Sequence, residues 1–198
     1  MTTKERLRKL SELKLIKSIL IPLMNALGAS KVENFHGVKE NGIDIYFAYK
    51  DIFGEIKHCG IFVKKADICK SGKNDIRKMK TQIEEALTRP FINPISSIGK
   101  IKIEEFCFAC NGILNKEARQ YLTDMCDSKE MPYVRIIDID MIEQLIINIM
   151  RDYNLNNKKL YSFSINNFDK FCAEYKEKYY FNKETQNISK SEGNEFQE

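Results

Sequence analysis

Residues 42–64 read GIDIYFAYKDIFGEIKHCGIFVK, and this stretch decides the fold. From Gly42 to Tyr49 the side chains alternate. Ile43, Ile45, Phe47 and Tyr49 fall on one side and Asp44, Tyr46 and Ala48 on the other, the period of two expected of a strand. Asp51-Ile52-Phe53-Gly54 carries turn chemistry, and Glu55 to Lys65 returns as a second strand, so the pair is a hairpin. On the returning strand Phe62 and Lys64 share one face, and Ile61 and Val63 the other.

Working outward, residues 9–27 place Leu10, Leu13, Ile16, Leu20, Leu23, Met24 and Leu27 at helical spacing and stop at Gly28. Pro22 removes a bond to the carbonyl of Ser18, which predicts one kinked helix. Lys31 to His36 reads as a short strand. Downstream, Asn74 to Thr88 is helical, with Ile76, Met79, Ile83, Ala86 and Leu87 on one side and Pro90 and Pro94 behind it. Ile101 to Cys110 is a near-continuous apolar run ending at Asn111-Gly112, the signature of a central buried strand. Lys116 to Cys126 reads as a helix, Tyr133 to Ile137 as a strand and Ile139 to Met150 as a helix. Strand and helix in alternation call for parallel pairing. The expected fold class is therefore α/β, a mixed β-sheet with an antiparallel hairpin first and parallel strands second, flanked by helices. One domain spans residues 1–152. Residues 153–181 read as a linker followed by a short aromatic helix (Asn167 to Phe181) docked on the body, and Asn182 to Glu198 as a disordered tail.

The composition sets the bounds on function. The chain has 198 residues, 43% hydrophobic and 30% charged, enough to bury a core without disulfides. A net charge of +4 makes the overall field weak, so any argument for nucleic acid rests on where the lysines cluster. The opening MTTKERLRKL lacks the apolar core of a signal peptide, and no run is long enough to span a bilayer. A cytoplasmic setting is expected, in which the six cysteines remain thiols. Cys107 and Cys110 have CxxC spacing, but no second pair completes a zinc site, and within a strand they would point to opposite faces. Core filling is the expected role. His36 reads as a turn residue and His58 as a surface strand residue, neither with assigned chemistry.

Asp44 follows and precedes isoleucines, so an ionised carboxylate there needs a polar pocket or a partner. Lys64 emerges from the apolar run Gly60-Ile61-Phe62-Val63. Many strand lysines simply extend to solvent. An acid and a lysine on adjacent strands, both rising from apolar sequence, are either a partly buried ion pair or the core of a metal site. Nearby, Lys64, Lys65, Lys70, Lys73, Arg77, Lys78 and Lys80 are offset only by Asp67 and Asp75. This is a local excess suited to a phosphate backbone, although most such runs are solvated faces.

These residues resemble a family. Phe35-His36-Gly37-Val38-Lys39-Glu40-Asn41-Gly42-Ile43-Asp44-Ile45, then Asp51-Ile52-Phe53-Gly54, then Ile61-Phe62-Val63-Lys64 are similar to the Mrr-type branch of the PD-(D/E)XK restriction-endonuclease-like superfamily. The likeness continues through Gln82, Ala86 and Pro90, Asn111-Gly112, Ala118-Arg119 and Ile136-Ile137-Asp138, covering residues 12–150. With Ile21-Pro22, it is nearest to the nuclease-like modules at the N-terminus of large anti-phage defence ATPases. The resemblance implies a metal-dependent DNA endonuclease acting in antiviral defence, alone, as a homodimer or with a larger defence protein. Mg2+ or Mn2+ would be held by Asp44 and the backbone carbonyl of Val63, with Lys64 orienting water and stabilising charge on phosphate. Lys65, Lys70, Lys73, Arg77 and Lys78 would meet the DNA backbone. The pattern departs at Phe62, where the family places Glu or Gln. Glu40, in the glycine-rich turn before Asp44, is the expected replacement carboxylate. Glu12 is a poorer candidate, and Gln82 an accessory to catalysis. The same resemblance admits a degenerate module that binds nucleic acid or protein without cutting.

Overall fold

The computed structural model describes residues 2–36, 42–71, 74–88, 91–92, 100–127, 134–157, 164–165, 168 and 170–176. Seven strands are present among them: β1 (Lys31–Asn34), β2 (Ile45–Lys50), β3 (Ile56–Lys64), β4 (Phe91–Ile92), β5 (Lys100–Ile101), β6 (Glu105–Cys110) and β7 (Val134–Ile137). The main sheet has five of them in the order β1-β2-β3-β6-β7, while β4 and β5 form a separate antiparallel pair. The first three strands are mutually antiparallel, and β3, β6 and β7 are parallel. The fold is α/β with a mixed sheet, as the alternation of patterns predicts.

Helices cover both faces. On one side lie α1 (Thr3–Arg8), α2 (Glu12–Leu15), α3 (Ile21–Ala26) and α6 (Ile139–Asn157), whose leucines and isoleucines pack against Ile45, Ile61, Val63, Cys107, Ala109 and Ile137. On the other side α4 (Ile76–Thr88) and α5 (Lys116–Asp127) pack against Ile43, Tyr46, Phe62, Phe106, Phe108 and Cys110. Each large apolar chain sealed this way contributes about 1.5–3 kcal/mol. From Cys59 to Val63 in β3 and from Phe106 to Cys110 in β6 both faces are sealed, which explains the unbroken apolar sequence there. Cys107 and Cys110 do fall on opposite faces, and burial pushes both thiols up to about 12, so neither is a thiolate at neutral pH.

The structure corrects several local readings. The kink expected at Pro22 is taken up one turn earlier, as a π-helical stretch over Ile16–Leu20 in which the Ile21 N–H reaches the Ile16 carbonyl. A wider turn just before a residue without an N–H absorbs the missing bond. The helix read as starting at residue 9 begins at Glu12, because Ser11 caps α2 through a 3.2 Å bond from the Lys14 N–H. Gly28, at φ 94°, ends α3 as expected. The alternation read from Gly42 holds only from Ile45: Ile43 packs with Tyr46 and Ala48 rather than with Ile45. Residues 42–44 are turn and bend, so the period of two does not apply to them. The α6 helix runs to Asn157, five residues into the stretch read as a linker. Residues 168 and 170–176 are helical, with Phe168 and Cys172 buried in the first core and Phe171 and Tyr175 against it, while the rest of the expected aromatic helix lies outside the described residues. The proposed tail, 182–198, lies outside the described residues. No described helix is long and apolar enough to cross a membrane.

Candidate metal centre

The site lies at the carboxyl end of β3, where the sheet changes from antiparallel to parallel pairing. In open α/β sheets the carboxyl edge of parallel strands is where ligands gather, because loops diverge there. Asp44 stands just ahead of β2. Its N–H donates to the Ile61 carbonyl at 2.9 Å, and its own carbonyl accepts from Phe35 N–H at 2.8 Å. With the backbone held on both sides, the carboxylate turns inward. Oδ2 accepts from the Val63 N–H at 2.7 Å, and Oδ1 lies 2.8 Å from His36 Nδ1. Asp44 is only 2% exposed, so these two contacts replace its hydration shell.

Gly42 makes this approach possible. It has φ +76°, and a Cβ on it would lie 2.1 Å from the backbone oxygen of Gln82. Any side chain would push the turn off α4. Gln82 thus meets the site segment through its carbonyl, and its side chain is exposed.

His36 follows β1 and is set by its backbone N–H, which donates to Asn34 Oδ1 at 3.1 Å. The β1–β2 register pairs Asn34 with Ile45, so a residue two beyond β1 arrives beside the bend that holds Asp44. Glu12 comes from the opposite direction, as the first residue of α2. Its Oε2 accepts from the Lys65 N–H at 3.1 Å, while Oε1 is 3.9 Å from both His36 Nδ1 and Lys64 Nζ. The last two are ion-pair separations rather than hydrogen bonds. Glu12, His36 and Asp44 each present one ligand atom, and these atoms lie within 4.8 Å of one another.

Lys64, the last residue of β3, is about one-third exposed and holds its ammonium 4.6 Å from the centroid of the Phe62 ring. The ring itself is 3% exposed and tilts against Phe108 at 5.8 Å. Phe62 is therefore core on one side and a shelf for the lysine on the other.

Of the residues expected from the sequence, Asp44 and Lys64 meet around Glu12 and His36 at one edge of the sheet. Val63 joins the site through its N–H. Glu40 and Lys73 lie outside the described residues. Lys65, Lys70 and Lys78 are exposed, as a backbone-binding surface requires. Arg77 is already engaged: its guanidinium grips Asp75 at 2.5–3.1 Å, and Asp75 also accepts the Arg77 N–H. Lys80 pairs with Glu84 at 3.2 Å. The local cationic excess is smaller than the sequence count implies.

Two members of the cluster stand higher than the sequence reading placed them. Glu12 ranked as a poorer candidate because nothing local marks it. Asn111 brings it in: its buried amide donates to the carbonyls of Leu7, Arg8 and Leu10 at 3.2–3.3 Å, and its N–H meets the Lys64 carbonyl at 3.4 Å. This one side chain fastens the end of α1, and so the start of α2, to the carboxyl end of the sheet. His36 was read as a turn residue, and the signal that would have found it is the antiparallel register of β1 on β2.

Comparison with known proteins adds no assignment: no family model, curated protein or solved structure matches this chain.

Proposed function

We propose that this protein is a metal-dependent nuclease that hydrolyses phosphodiester bonds in DNA at the Asp44 cluster. One observation carries the reading. A buried carboxylate, a second carboxylate and an imidazole converge within 4.8 Å at the carboxyl edge of β3, with a lysine ammonium 3.9 Å from the second carboxylate. The donor set suits a divalent cation, since carboxylate oxygens are ordinary ligands for Mg2+ or Mn2+ and an imidazole nitrogen is an ordinary ligand for transition ions.

A bound cation would supply Lewis acidity, making water a better nucleophile and offsetting charge on the phosphate. The chain's own groups do the rest. The Val63 N–H holds the Asp44 carboxylate in one orientation. Glu12 is fixed by the Lys65 N–H. Lys64, carried on the Phe62 ring and drawn towards Glu12, places a positive charge where a scissile phosphate would enter. The carbonyl of Val63 would add a further oxygen, the Glu40 expected beside it lies outside the described residues, and the exposed Lys65, Lys70 and Lys78 would attract a phosphate backbone. The resemblance drawn from the motifs adds the setting: defence against foreign DNA in the cytoplasm, as a homodimer or with a larger defence protein.

A second reading has its own support. Phe62 fills the position where the resembled family carries Glu or Gln, and His36 already occupies Asp44 Oδ1. Both favour a degenerate module that binds nucleic acid or a partner without cutting.

Cleavage separates the two. Purified protein is incubated with supercoiled and linear DNA with Mg2+, Mn2+ or chelator, alongside Asp44→Asn and Lys64→Ala. The nuclease reading expects metal-dependent cutting that both substitutions abolish, with DNA affinity largely retained. Wild-type protein that binds DNA and never cuts it with any divalent ion refutes the nuclease and leaves the binding module.

A further inference from the structure

We infer that the cation of this site is a divalent transition ion of the Mn2+ or Zn2+ class rather than Mg2+ or Ca2+, and that His36 is the residue that makes the choice. The inference deepens the metal-dependent reading above and rests on it.

The donor count is the first reason. The described ligand atoms are two carboxylate oxygens, from Glu12 and Asp44, and one imidazole nitrogen, from His36. Phe62, adjacent on β3, offers no donor, and its ring is committed to Phe108 and the Lys64 ammonium. Mg2+ and Ca2+ take hard oxygen ligands, and Mg2+ gives up water reluctantly. An imidazole nitrogen gains little for those ions, more for Mn2+ and most for borderline ions later in the first transition row such as Zn2+. A site whose third protein ligand is nitrogen is therefore biased towards the latter.

Geometry is the second reason. His36 Nδ1 is the ring atom that faces the carboxylates, 2.8 Å from Asp44 Oδ1 and 3.9 Å from Glu12 Oε1. Ligand atoms about 2.1 Å from one cation in adjacent positions stand about 3 Å apart, and the two observed separations bracket that value. Small movements of the Glu12 side chain would complete the set. Coordination takes the Nδ1 lone pair, with the ring proton carried on Nε2. The His36 backbone is held in place, since its N–H donates to Asn34 Oδ1 and the Phe35 N–H to the Asp44 carbonyl.

The test uses the full chain freed of metal, titrated calorimetrically with Mn2+, Zn2+, Mg2+ and Ca2+, in wild type, His36→Ala, His36→Asp and Asp44→Asn. Oxygen sites also favour Mn2+ over Mg2+ to some degree, so the dependence on His36 decides. His36→Ala is expected to weaken Mn2+ and Zn2+ about tenfold or more while changing Mg2+ less than about threefold. His36→Asp, which supplies oxygen instead, should narrow the gap by strengthening Mg2+. Pulsed electron paramagnetic resonance on Mn2+-loaded wild type should show modulation from a directly bound nitrogen, a readout independent of whether His36→Ala folds. Absence of that modulation, or equal losses for Mn2+ and Mg2+ in His36→Ala, overturns the inference. DNA cleavage with Mg2+ alone, indifferent to His36, sinks it while leaving the nuclease reading intact. Mn2+ bound through His36 in a protein that never cuts DNA upholds it and removes the nuclease reading.

Discussion

Replacing Asp44 with alanine and with asparagine should give two different proteins, and the difference follows from a single backbone N–H. The Val63 N–H donates to Asp44 Oδ2 at 2.7 Å, and Val63 is fully buried. Alanine leaves that donor with no acceptor and no water. A buried orphan of this kind costs about 1–3 kcal/mol, and the lost bond was to a charged acceptor, at the upper end of that range. One effect opposes this loss. Removing a desolvated carboxylate relieves its burial penalty, which for a lone buried charge would win. Here the charge is compensated by two donors, at 2.7 and 2.8 Å, so the orphaned N–H dominates. The net expectation for Asp44→Ala is a loss of about 2–3 kcal/mol, or about 4–12 °C in melting temperature for a chain of this size. Asparagine keeps an oxygen for the Val63 N–H and presents its amide to the His36 nitrogen, so its melting temperature should fall by less than about 3 °C. Thermal unfolding followed by circular dichroism, without added metal, measures both. If Asp44→Ala melts at or above wild type, the carboxylate is strained rather than structural. If both variants fall equally, charge rather than hydrogen bonding holds the turn.

Three further outcomes are expected. Asn111→Leu removes the amide bonded to the Leu7, Arg8 and Leu10 carbonyls, and should cost about 1–3 kcal/mol by urea unfolding. It should also weaken Mn2+ binding by loosening Glu12, and unchanged metal affinity would show that Asn111 does not position the site. Asp75 is held down to about 2 by the Arg77 side chain, so it favours the folded state above its ordinary value of 3.8 and loses that contribution as pH falls towards 2. The gap in urea midpoint between wild type and Asp75→Asn should therefore be full at neutral pH and close in that acid window; a gap independent of pH would show that the Arg77 contact adds nothing electrostatic. Native protein titrated with a thiol reagent should leave Cys59, Cys107, Cys110 and Cys172 unlabelled, since all four are buried, and label Cys69 at an intermediate position. Prompt labelling of Cys107 or Cys110 would contradict the packing of β6.

Much of the fold was legible because each segment carries one dominant period. The hairpin of β2 and β3, the doubly buried β6 and helices α4 to α6 follow from local patterns, since a strand or helix sealed on a known face must place apolar residues at that spacing. Misreadings fell where two local rules compete. Gly42 to Asp44 alternates like a strand but is a turn, because Gly42 is pinned against the Gln82 carbonyl. Ser11 interrupts an otherwise helical run because its hydroxyl caps the next helix.

From sequence alone came an α/β chain with a mixed sheet, free thiols sealed in its core, and Asp44 and Lys64 as the residues around which chemistry would gather. The fold and the thiols depend on composition and on spacings of a few residues, whereas Asp44 and Lys64 stood out through the resemblance of the surrounding motifs to a nuclease family. Tertiary structure alone decided which residues complete the cluster. Glu12 lies on the first turn of a short helix and His36 just past an edge strand, and neither is marked by any neighbour in the chain. They meet because Asn111 anchors the α1–α2 turn to the sheet and because β1 pairs antiparallel with β2, bringing ligand atoms within 4.8 Å. Such contacts depend on register and on how layers dock, and these are set by the total burial of the core rather than by the residues that end up touching.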